Sequence, residues 1–142
     1  MTIAAILGGK GTDVTTIDGG QSVRDAVALL SARRIGAVPV VEGGTVVGIF
    51  SERDVIRCLE HAGAGALDQQ VRMVMTAPAI TVTRDEPVLA ALSLMTRRRI
   101  RHLPVVENGA LLGFVSIGDL VKHRIDRIEA EADQMRAYIQ QV

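Results

Sequence analysis

Residues Ile35–Arg57 and Ile100–Lys122 are one segment written twice, 65 positions apart and without a gap. Nine of the 23 paired positions are identical: Ile35/Ile100, Pro39/Pro104, Val40/Val105, Val41/Val106, Glu42/Glu107, Gly44/Gly109, Gly48/Gly113, Ser51/Ser116 and Asp54/Asp119. Unrelated segments of that length would share about one or two, so the chain is an internal duplication. The correspondence continues upstream through Thr16/Thr81, Val23/Val88, Ala26/Ala91, Leu29/Leu94, Arg33/Arg98 and Arg34/Arg99. At 142 residues the chain suits one compact domain, or two small halves sharing a core.

Both copies carry the same local signals. Val23, Ala26, Val27 and Leu30, like Val88, Ala91, Leu92 and Met95, follow the i, i+3, i+4, i+7 spacing of an amphipathic helix. Ser22 is a suitable N-cap for the first, and Pro87 suits the first turn of the second. "AVPVV" (Ala37–Val41) and "HLPVV" (His102–Val106) are short β-branched strands. "EGG" and "ENG" are turns, and "TVVGIF" and "ALLGFV" are the return strands of hairpins. A second helix follows from Ser51 and from Ser116. The unit is strand-helix-strand-strand-helix, an α+β fold in which each half has too few apolar residues to cover its own sheet. Packing the two halves sheet to sheet resolves this. Boundaries expected on this basis are 10–65 for the first half, 66–74 for a linker helix or loop, and 75–124 for the second. A helical extension is expected over 125–142, and a short Ala/Ile helix over Thr2–Leu7.

Composition narrows function. Sixteen basic residues balance sixteen acidic ones, and aromatics are 2% of the chain. A general nucleic-acid or anionic-membrane binder needs excess positive charge or stacking platforms, so both are disfavoured. The lone Cys58 fits a reducing compartment. With neither a basic-apolar-small leader nor a membrane-length apolar run, a cytoplasmic location is expected. His61 and His123 have no partner at metal-ligand spacing, and no nucleophile set, P-loop or HExxH is present. No catalysis, metal or catalytic cofactor is expected.

The tandem "P-V-V-[turn]-G-x-x-S-x-x-D", each copy preceded by an amphipathic helix, resembles a pair of CBS domains. These modules are named after cystathionine beta-synthase and also occur in IMP dehydrogenase and the AMP-activated kinase gamma subunit. The resemblance covers residues 10–125, and no attached catalytic domain is recognisable in the remainder. It implies a pseudo-twofold pair with two clefts between the halves, where many members bind adenine nucleotides, and frequent homodimerisation.

The "S-x-x-D" repeats have two compatible readings. Ser followed three residues later by an acid is a capping-box-like helix start, stabilising by about 1 kcal/mol with no ligand. The resemblance adds that Asp54 and Asp119 accept ribose hydroxyls while Ser51 and Ser116 face phosphate, which a helix N-terminus favours. It groups Thr15, Thr16, Ile17, Gly36, Ala37, Ser116 and Asp119 in one cleft. The other takes Ile80, Thr81, Val82, Arg101, His102, Ser51, Arg53 and Asp54. The threonine-bearing strands would read adenine through their backbones. Because Arg53 and Arg101 fall in the Asp54 cleft, that cleft is expected to prefer phosphorylated ligands. The Asp119 cleft is expected to be empty, weaker, or suited to an adenosine-like ligand.

Arg97, Arg98 and Arg99 read as a solvated helix end complementing the dipole. Ile125, Ile128, Ala132, Met135, Ile139 and Val142 alternate 3-4-3-4-3, a coiled-coil-type stripe of fewer than three heptads that packs on its own domain or forms a dimer contact. The expected function is a non-catalytic homodimeric sensor. It binds AMP, ADP, ATP or an adenosyl relative such as NAD, and signals to a protein partner by changing shape. The alternatives are a ligand-free dimerising scaffold, or a nucleic-acid binder using the Arg97–Arg101 run.

Overall fold

Turn chemistry fixes the two hairpins. Strands β2 (Ala37–Glu42) and β3 (Thr45–Ser51) are joined by Gly43-Gly44, and β4 (His102–Glu107) and β5 (Ala110–Ser116) by Asn108-Gly109. In this computed structural model, which describes residues 1–11 and 13–141, all four turn residues have positive φ (58°, 79°, 52° and 80°). That is the backbone form whose twist matches a two-residue antiparallel hairpin. Both hairpins carry a register irregularity at the same place in the repeat, between Val40 and Val41 and between Val105 and Val106.

Each hairpin lies between two helices, α2 (Val23–Arg33) and α3 (Glu52–Ala62) in the first copy, α5 (Val88–Arg98) and α6 (Ile117–Gln140) in the second. The Ser22 hydroxyl accepts from the Asp25 N–H at 3.0 Å, the expected cap, while Pro87 is itself the N-cap residue of α5. Helices α2 and α5 end on Arg34 and Arg99, equivalent residues in the left-handed region (φ 53° and 55°) where glycine is usual. A two-residue strand β1 (Ile17–Asp18) runs parallel to β2, giving sheet order β1-β2-β3. In the second copy that strand shrinks to one bridging residue, Val82, paired parallel to Val105.

Each half has its own buried cluster, and each takes apolar surface from a segment outside the repeat. Helix α1 (Ile3–Lys10) belongs spatially to the second half. Its Ile3, Ile6 and Leu7 are buried with Val88, Met95, Leu103, Val115 and Leu120. The Ile3 N–H donates to Glu86 O (2.9 Å) and the Val88 N–H to Met1 O (3.0 Å). The first half is completed by a 3₁₀ turn over Gly63–Asp68 and by α4 (Val71–Val74), which bury Ala66 and Val71 beside Val23, Leu30 and Phe50. Residues 66–74 therefore contribute core. The short N-terminal helix runs on to Lys10, past the expected Leu7.

Helix α6 is continuous through position 125, so the expected extension is the outer part of the second copy's last helix. Ile125, Ile128, Met135 and Ile139 are 49, 48, 59 and 64% exposed, so the stripe does not pack on its own domain. Val142, expected to end it, lies outside the described residues. No helix among the described residues is long and apolar enough to cross a membrane.

Candidate functional site

The repeat brings the starts of β2 and β4 together. A Cβ placed on Gly36 would lie 3.7 Å from His102 Cε1. Beside this contact a cavity of about 360 Å³ opens between the halves. Its first-half wall comes from Asp13, Val14 and Thr15 on the approach to β1, and from Arg34, Ile35, Gly36 and Ala37 between α2 and β2. The end of α1 adds Lys10 and Gly11; the second half supplies His102, Phe114 and Ser116. The His102 and Phe114 rings stack with centroids 5.4 Å apart and planes 13° from parallel, forming one face. Such a stacked pair contributes about 0.5–1.5 kcal/mol beyond its buried area and holds the imidazole in place.

Three residues set the electrostatics. Lys10 Nζ pairs with Asp119 Oδ2 at 2.5 Å and donates to Phe114 O at 2.7 Å. Burial works to raise the Asp119 carboxyl. The Lys10 ammonium and the Ser116 N–H and hydroxyl outweigh it and hold the group below the ordinary carboxylate range. Burial pushes His102 below the usual histidine value, with the Lys10 charge adding to the effect and Asp119 opposing it. The balance favours the neutral imidazole over the charged one. Arg34 is exposed and makes no ion pair among the described residues.

The family profile described as "CBS domain" matches residues 11–61 and 71–126, most of the chain and both copies. The chain belongs to the CBS-domain family. It is 38% identical over 124 residues to a mitochondrial CBS domain-containing protein, CBSX3, of Arabidopsis thaliana, covering 84% of this chain and 60% of that protein's length. A CBS-domain protein of Agrobacterium tumefaciens, ATU1752, superposes with a TM-score of 0.84 at 39% identity, covering 87% of this chain and 99% of the other. The CBS pair of protein MJ0100, solved with 5′-methylthioadenosine and S-adenosyl-L-methionine, superposes with a TM-score of 0.76 at 25% identity. That match covers 86% of this chain and 98% of the other. CBS pairs are regulatory modules, and this chain carries one such pair, made of its two CBS copies.

The two CBS copies use the same carboxylate differently. Both S-x-x-D starts form a complete capping box: Ser51 with Asp54 and Ser116 with Asp119 each exchange side-chain and backbone bonds. Asp119 keeps 28% of its side chain exposed, facing Lys10. Asp54 keeps 1%. Its Oδ2 accepts from the Ser51 N–H (2.9 Å) and hydroxyl (3.2 Å), and its Oδ1 from the Thr76 hydroxyl (2.8 Å) and Arg57 (3.2 Å). Thr76 also exchanges two 2.9 Å backbone bonds with Ile49, the repeat counterpart of Phe114. Lys10 thus makes with one ammonium, at Phe114 O and Asp119, the contacts that Thr76 makes with its N–H and hydroxyl at Ile49 O and Asp54.

The expected grouping changes accordingly. Thr15, Gly36, Ala37 and Ser116, grouped together from the sequence, line the cavity, and Asp119 pairs with the lining residue Lys10. His102, expected in the Asp54 cleft, lines this one instead, because its place at the start of β4, opposite Ser116, turns the ring onto Phe114. Ser51, Arg53, Asp54, Ile80, Thr81, Val82 and Arg101 are not part of this cavity. Arg53 donates to Arg99 O at 3.1 Å, Arg101 is exposed, and Val82 is buried in the second-half core. Thr16 is exposed, next to the lining residue Thr15, and Ile17, the first residue of β1, is buried in the first-half core. Sequence reasoning did not single out Lys10, Asp13, Arg34 or Phe114. The available signal was Lys10-Gly11 standing where the second copy has Met75-Thr76.

Proposed function

We propose that this chain is a non-catalytic regulatory CBS pair that binds one adenosine-bearing ligand of nucleoside or nucleoside-monophosphate size in the Asp119 cavity. The Asp54 side is closed and structural. One observation carries the reading: of two equivalent carboxylates, Asp54 is buried with four donors, whereas Asp119 is 28% exposed, accepts from the Ser116 N–H and pairs with Lys10, which lines the cavity. The volume of about 360 Å³ is at the lower end for small-molecule sites and favours a mononucleotide over NAD. The adenosyl ligands in the MJ0100 structure support the ligand class.

In this reading the ribose hydroxyls donate to Asp119, displacing Lys10, and the His102–Phe114 stack supplies a flat wall. Arg34 and the released Lys10 pair with a phosphate, which the Ser116 end of α6 also favours. This reverses the phosphate preference expected from Arg53 and Arg101. Occupancy reaches the rest of the molecule through α1, which ends on Lys10, and through α6, whose first turn carries Asp119. The chain acts as a homodimer; Ile56 on α3 and its repeat counterpart Val121 on α6, 70% and 43% exposed, support self-association.

Thermal unfolding with AMP, adenosine, methylthioadenosine and S-adenosylmethionine tests the reading, because a ligand specific for the folded state raises stability by RT ln(1 + [L]/Kd). AMP should raise the melting temperature of the natural chain, and Arg34→Ala should lose that gain while keeping any gain from adenosine. No shift with any of the four would leave a ligand-free scaffold.

A further inference from the structure

The outer part of α6 presents its apolar stripe to solvent. From Ile125 to Gln141 every described residue except Ala132 is exposed. Ile125, Ala132 and Ile139 take the a positions of a heptad, and Ile128 and Met135 the d positions. Arg124 and Glu131 then fall at g, and Glu129 and Arg136 at e.

These four charges choose an orientation. In a parallel, in-register pair of helices, each g residue faces the e residue of the following heptad on the other copy. Arg124 then meets Glu129, and Glu131 meets Arg136, each twice by symmetry, with no like-charge contact. The antiparallel register that opposes Ile128 to Ile139 matches only Glu129 with Arg136 and leaves Arg124 and Glu131 unmatched. The antiparallel register that opposes Ile128 to Ala132 sets Glu129 against Glu129 and Glu131 against Glu131. We propose that the projecting α6 helices of two copies pair as a parallel, in-register two-stranded coiled coil over residues 125–139. The proposal rests on the self-association in the reading above but not on its ligand.

Two features of the helix fit this arrangement. The Arg127–Glu131 (3.4 Å) and Arg136–Asp133 (2.8 Å) pairs within it are surface pairs of small worth, so they yield readily to cross-chain partners. The stripe spans about two heptads, roughly 22 Å, which is marginal for an isolated coiled coil. Tethering to the folded CBS pair raises the local concentration of the second helix once the domains meet. Parallel pairing also sets both CBS pairs at the same end of the rod, with both Asp119 cavities at its base.

The test uses the full chain without ligand. In the parallel register, position 135 of one copy faces position 135 of the other within disulfide reach. Both antiparallel registers put it opposite position 125 or 132. Met135→Cys should therefore give a covalent dimer under mild oxidation, and Ala130→Cys on the outer face should not. Sedimentation equilibrium adds the charge test. Glu131→Arg should weaken the dimer about tenfold at low salt, and Glu131→Arg with Arg136→Glu should restore it. A monomer or trimer at all concentrations, absence of the Met135→Cys cross-link, or failure of the double exchange to restore the dimer would each overturn the proposal.

Discussion

Asp54 and Asp119 have the same neighbours in sequence and different fates in space. Asp54 satisfies the Ser51 N–H and hydroxyl, the Thr76 hydroxyl and Arg57 while 1% exposed. Removing half its acceptor strength strands buried donors, which costs about 1–3 kcal/mol for a buried group. Asp119 shares one ammonium in a pair whose side chains are 42% and 28% exposed, where solvent screening leaves about 1 kcal/mol or less. Asp54→Asn should therefore lower urea-unfolding stability by about 2–3 kcal/mol, against about 1 kcal/mol or less for Asp119→Asn. Equal losses would contradict the division between a structural and a ligand-facing carboxylate. The helix-capping role of both residues was legible because Ser and Asp three apart act through local backbone. Their divergence was not, since it is decided by Thr76 and Lys10, distant in sequence.

At the scale of elements, duplication preserved the hairpins and changed what lies against them. Gly48 and Gly113 occupy the same place in the repeat, and each is glycine because another segment crosses there. A Cβ on Gly48 would come within 2.6 Å of Met75 Sδ and 2.8 Å of Thr76 O, whereas on Gly113 its three nearest atoms would all belong to the Leu7 side chain. Backbone cannot move aside as a leucine rotamer can. Gly48→Ala should cost about 2–3 kcal/mol and Gly113→Ala about 1 kcal/mol, by chemical denaturation. A larger loss at Gly113 would mean that α1 is the more rigid of the two segments. Helix α2, helix α5 and both turns were legible from periodicity and Gly-containing pairs. The destination of α1 was not, because an eight-residue helix rich in Ala, Ile and Gly has no polar face to orient it. The part played by Gly63–Val74 in the first-half core was hidden for a similar reason, as its buried Ala66 and Val71 show no helical or strand period.

The molecule as a whole is a pseudo-symmetric pair whose two halves are packed by different segments. Each half has its own core, and the symmetry is broken where α1 ends on Lys10 and the first-half return segment ends on Met75-Thr76. The family was legible in the tandem motif. The placement of His102 in the cavity wall was not, because it depends on the β4 register that turns the ring onto Phe114. The proposed function places one ligand site in each chain, at Asp119. Isothermal calorimetry with AMP on the natural chain, Asp119→Ala and Asp54→Asn measures it directly. The natural chain should bind one AMP, Asp119→Ala none, and folded Asp54→Asn one with near-natural affinity. Two sites per chain, or binding that survives Asp119→Ala and disappears in folded Asp54→Asn, would contradict it.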